Sequence, residues 1–162
     1  MINSEEQGGP VKLSKVRGEV YHFRKAPLQF QQTFATPLKD LPRFVATILS
    51  PLQLEEARVT IDQVVFDPEH LLELLKNHSI SVESCRDSTV LASGQEEISA
   101  LLEASLGDWV DFLFVPTPKH FVIYADHDEW TTIFAENESE LRLIGRTLST
   151  SGFREIPNYV RF

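Results

Sequence analysis

The sequence predicts an α+β domain: a mostly antiparallel sheet, ending in a C-terminal three-stranded meander, with three to four helices packed on one face. Three observations predict it. Strand-like and helix-like runs are mixed without a strict β-α-β alternation. Near the C-terminus, two turn-forming stretches, 116–119 and 126–129, separate three consecutive apolar runs, which is the pattern of a meander. The chain has 162 residues, 42% hydrophobic and 24% charged, which is the size and composition of one globular domain.

The elements follow in order. Residues 1–17 are polar, carry Gly8-Gly9-Pro10 and read as a flexible tail, leaving 18–162 as a single domain. Residues 19–25 and 28–34 read as strands broken by Ala26-Pro27. In the second, Leu28, Phe30, Gln32 and Phe34 share a face. Asp40 can cap a helix with Pro42 in its first turn, and Leu41, Phe44, Val45, Ile48 and Leu49 form its apolar stripe. Ser50-Pro51 ends it.

Residues 59–66 read as a strand. Asp67-Pro68-Glu69 then opens a helix with a cap, a Pro at the first position and an early acid. Leu71, Leu72, Leu74 and Leu75 make that helix apolar round much of its circumference, as if it were sandwiched. Residues 80–83 read as a short strand and 84–92 as a loop or weak strand. Ser93 with Glu96 suggests a capping box for a helix lined by Ile98, Leu101, Leu102 and Leu106 and stopped at Gly107. The meander strands are expected at 109–115, 120–125 and 130–136. Asn137 and Glu140 pair as N-cap and third residue of the last helix, whose stripe is Leu141, Ile144 and Leu148. Residues 153–162 close the chain as a strand despite Pro157.

The net charge is −9, unevenly placed. Residues 1–45 hold seven bases and four acids, a balance of +3. Residues 46–162 hold eight bases and twenty acids, a balance of −12. Such a balance argues against a general nucleic-acid binder, which needs a basic face to displace counterions. It suits a basic protein partner. No apolar run reaches the length of a membrane span, and the polar, acidic start does not read as a secretory signal. A lone cysteine, Cys85, excludes an internal disulfide and fits a cytoplasmic location.

Chemistry-bearing residues gather at Asp126-His127-Asp128-Glu129, a hairpin tip with three carboxylates and an imidazole. Carboxylate with imidazole suits a divalent metal or acid–base work. Consecutive turn residues seldom converge on one ion, however, and Asp is a common turn former. His22 and His120 lie on expected strands with no orienting acid in view, and Cys85 has no activating cation on its own face. Nucleotide-binding glycine loops and the G-x-S-x-G elbow are absent from the sequence, and no cofactor is implied.

Trp109 and Trp130 fall at expected strand ends, beside these acids. Exposed aromatics next to charge characterise protein-binding patches. The expected function is therefore a non-enzymatic, intracellular protein-binding domain, of the inhibitor or immunity type, with a basic partner. Its contact residues would be Asp126, His127, Asp128, Glu129, Trp130 and Trp109. The alternatives are a small metal-assisted or hydrolytic enzyme using the 126–129 turn, or a small-ligand module. A homodimer is compatible with the same sequence.

Overall fold

Residues 14–16, 30–64, 66–78, 89–117 and 121–161 are described by the computed structural model. Within them the strands are β1 (Ser14–Val16), β2 (Phe30–Ala35), β3 (Glu56–Gln63), β4 (Thr89–Ser93), β5 (Asp111–Thr117), β6 (Phe121–Ala125), β7 (Trp130–Ala135) and β8 (Arg154–Ile156). The helices are α1 (Leu41–Leu49), α2 (Glu69–Asn77), α3 (Gln95–Gly107) and α4 (Glu138–Thr150). The strands form one sheet, ordered β1-β4-β3-β5-β6-β7-β2-β8 and antiparallel throughout. The meander is β5-β6-β7. The sheet grows outward from it, with β3 beside β5 and β2 beside β7.

Alternation decides which face each strand buries. Ala57, Val59 and Ile61 of β3, Phe112 and Phe114 of β5, Ile123 and Ala125 of β6, and Ile133 and Ala135 of β7 join one core with the apolar stripes of all four helices. The α1 stripe read from the sequence is buried at every position, including Phe44, whose ring meets Phe34 and Phe153. The helices thus share one face. On the other face Leu113, Val122, Tyr124 and Phe134 form a second, smaller cluster. Helix α4 comes close to β2: a Cβ on Gly145 would meet Gln32 Oε1, and the Gln32 amide would have to swing aside.

Several local expectations shift. Three residues inside the stretch read as a flexible tail, Ser14–Val16, pair with β4. Strand β3 starts and ends three residues earlier than the sequence suggests, because Phe66 follows the strand in a bend. Helix α2 is not sandwiched: Leu71 and Leu75 are buried, while Leu72 faces solvent. Its capping group is not Asp67 but Asp108, whose carboxylate accepts the His70 and Leu71 backbone N–H groups at 3.1 and 2.7 Å. Helix α3 has Gly94 at its N-cap, and Glu97 rather than Glu96 reaches back to the Ser93 N–H. The closing strand stops at Ile156, since Pro157 lacks the N–H a longer ladder would use. Asn137 caps α4 as expected, accepting from the Glu140 N–H at 3.1 Å. The strands expected at 19–25 and 80–83, together with His22, Cys85 and His120, lie outside the described residues.

No helix among the described residues is long and apolar enough to cross a membrane.

Candidate functional site

The register of the meander builds the site. Phe112 pairs with Ala125 and Gln63 with Asp111, so the start of β5 lies beside the end of β3 and beside the 126–129 turn. Trp130 pairs with Ala35 at the same end of the sheet. Residues from five strands therefore meet there.

Asp111 is buried at the first position of β5. Its Oδ1 accepts two hydrogen bonds from His127, from the backbone N–H at 2.8 Å and from Nδ1 at 2.7 Å. Burial pushes the Asp111 carboxyl above its usual value, and the two hydrogen bonds from His127 oppose that rise. The hydrogen bond to Asp111 in turn raises the His127 imidazole above its ordinary pKa, against its partial burial. The His127 Nε2 lies 3.2 Å from Asp128 Oδ1.

Asp126 is 8% exposed and belongs to the interior. Its Oδ2 accepts from Arg161 Nη1 at 2.9 Å, and its Oδ1 accepts from the Asp128 N–H at 2.6 Å. Arg161, also buried, donates through Nε to Thr132 Oγ1 and through Nη2 to the Trp130 carbonyl. Its guanidinium lies over the Tyr124 ring, 4.5 Å from the centroid. Gln31 holds the Arg161 backbone by two further hydrogen bonds. Tyr124 donates its hydroxyl to Asp62 Oδ2, and burial, then this bond, push the phenol well above its ordinary range. The C-terminal segment is thus tied across the sheet face opposite the helices.

The remaining members face solvent. Asp128 has a side chain 74% exposed. Glu129 is exposed with φ +72°; its Oε2 accepts the Leu38 N–H and its carbonyl the Thr36 N–H. Trp130 is 36% exposed and meets Tyr159 edge to face. Trp109 is 42% exposed, holds φ +54° and packs edge to face on the exposed Phe66.

Of the six residues singled out from the sequence, 126–130 thus form one site, and Trp109 flanks it from the α3–β5 turn. Asp126 is a correction: a hairpin-tip acid expected at the contact surface is instead the buried partner of Arg161. Asp111, Arg161 and the Phe66–Trp109 pair were not found by sequence reasoning. The missing signal for Asp111 was register, since nothing local places it across from His127.

Asp111, Asp126 and His127 each bring one donor atom within 4.8 Å of the others, the spacing of a cation site. Those donors are committed elsewhere. A guanidinium already neutralises Asp126, and the His127 Nδ1 points its proton at Asp111. As the structure stands, the three donors are engaged with one another and with the Arg161 guanidinium.

Compared with family models, with curated proteins and with solved structures, the chain finds no match.

Proposed function

We propose that this end of the sheet is the docking surface of a non-catalytic, protein-binding domain whose partner is basic. One observation carries the reading: exposed acids and exposed aromatics share one end of one sheet. Asp62, Asp67, Asp128 and Glu129 stand with Phe66, Trp109 and Trp130. Carboxylates steer a cationic partner and select it, while aromatic faces take up apolar stems and cationic heads. The backbone supports this. A bulky residue at positive φ costs on the order of 1–3 kcal/mol and persists where structure over-determines it, and Trp109 is such a residue held outward. An inhibitor or immunity-type role, with the acidic end covering a partner's cationic surface, is the form of this function that the charge suits best.

The test is capture from native lysate at low and high salt. The doubly reversed Asp128→Lys/Glu129→Lys chain keeps its fold, because Asp128 is solvated and Glu129 contributes one exposed hydrogen bond. A basic protein held by the natural chain at low salt should be lost by the reversed one. Equal retention by both chains would remove this surface from consideration.

A second reading, a small hydrolase, draws on the Asp111–His127 pair, in which a buried acid fixes Nδ1 as in a general-base dyad. Its Nε2 faces Asp128, where such an enzyme would hold a nucleophile or substrate. Binding is therefore the better account.

A further inference from the structure

Both ring nitrogens of His127 face carboxylates: Nδ1 lies 2.7 Å from Asp111 Oδ1 and Nε2 3.2 Å from Asp128 Oδ1. A neutral imidazole has a single N–H, which Asp111 takes, so in that form no charge draws Asp128 to the ring. Either form of the ring serves the hydrogen bond to Asp111, whereas only the imidazolium adds a charge attraction to Asp128, which stands near Nε2 as an ion pair. The two contacts are unequal. Asp111 is buried, and its Oδ1 also takes the His127 backbone N–H. Asp128 is solvated, so water replaces its contact at little cost. The proton that leaves is therefore the one on Nε2, and the group set free is Asp128.

We propose that His127 regulates the docking end: protonated, it holds Asp128 in the turn and cancels one acidic charge; neutral, it releases Asp128 and strengthens the hold on a cationic partner. This rests on the reading of that end as a docking surface.

The groups around the ring fix the direction. Asp126 Oδ1 lies 3.7 Å from Nδ1 on the same turn. Arg161, from the C-terminal segment, is neutralised by Asp126. From β3 and β6 come Asp62 and Tyr124, joined by their own hydrogen bond beside Asp111. Acids predominate. The hydrogen bond to Asp111, then the charges of Asp111, Asp128 and Asp126, outweigh partial burial and hold the ring's pKa above its usual value. The gain in affinity therefore comes as pH rises through that raised pKa. By reciprocity, a bound cationic partner lowers it.

Two measurements test this on the full chain. In the first, the His127 ring is titrated by NMR. It should titrate above an ordinary histidine, and Asp128→Asn, which leaves the ring and its Asp111 contact in place, should lower the value. A ring that titrates normally, or ignores Asp128→Asn, overturns the proposal. In the second, a short oligolysine peptide is bound at low salt at about pH 6 and about pH 8.5, a range over which histidine changes charge and lysine does not. One unit charge about 6 Å from a bound cation in water changes affinity about threefold. The natural chain should bind that much more tightly at the higher pH than any residual change in His127→Gln, which isolates His127 from the other histidines. Binding with the same pH ratio in both chains overturns the regulation and leaves the docking surface standing. No binding at either pH overturns the docking surface and the regulation with it.

Discussion

Arg161 and Asp126 show how two side chains secure the C-terminal segment. Each is about nine-tenths buried, and each satisfies the other while spending its remaining hydrogen bonds on Thr132, the Trp130 carbonyl and the Asp128 N–H. Removing one partner leaves a buried charge alone, so Arg161→Ala should cost about 3–5 kcal/mol in urea unfolding. Replacing both with neutral residues should cost less than the single change, because the stranded charge is gone. His127 gives a pH dependence of definite sign. Its folded pKa is raised, so its contribution to stability is complete below the unfolded value of about 6.5 and is lost as pH rises through the folded value. The stability gap between the natural chain and His127→Gln should therefore be widest in mild acid and narrow toward alkaline pH, as read by denaturant unfolding. Only one of these two side chains is legible in the sequence. His127 stands out in the sequence as a histidine among acids. Arg161 carries no local mark, because its partners lie 29 and 35 residues away.

Helix termini divide by where their caps come from. Asn137 and Glu140 belong to one turn, and the α4 cap could be read directly. Helix α2 is capped across the fold, by an aspartate 37 residues downstream of Leu71. That carboxylate sits at the positive end of the helix dipole and also takes the His70 ring, which the hydrogen bond to Asp108 raises above its ordinary pKa. Asp108→Ala should therefore destabilise the protein by about 1–2 kcal/mol in thermal melts, whereas Asp67→Ala should stay within about 0.5 kcal/mol. The α1 stripe, the α3 stop at Gly107 and the 126–129 turn were likewise legible, since each depends on spacing within a few residues. Asp67-Pro68-Glu69 misled for the same reason: it has the local form of a cap, and a distant group supplies the bonds.

At the scale of the molecule, the net charge is −9 and exposed acids are carried by loops, strand ends and helices alike. The antiparallel order brings the ends of β2, β3 and β6 to the starts of β5 and β7, where Trp130, Asp128 and Glu129 are exposed, while further exposed acids lie on the helices. Like charges on a compact body repel, so screening should help it. The melting temperature should rise as sodium chloride is added from low ionic strength, since the solvated carboxylates are screened more than the buried Arg161–Asp126 pair. A flat or falling melting temperature would mean that surface attractions, not repulsions, dominate the charge balance.

By itself the sequence determined the fold class, most helix stripes, the meander and the turn that anchors the candidate site. All of these follow from periodicity and from turn chemistry within a few residues. The tertiary structure alone decided which acids remain on the surface. Asp126, Asp128 and Glu129 are alike in a list of turn residues, yet one is buried against a guanidinium, one is solvated and one ties down the Leu38 N–H. The physical reason is that a carboxylate's state depends on the charges and donors that strand pairing brings to it, and pairing joins residues the chain keeps far apart.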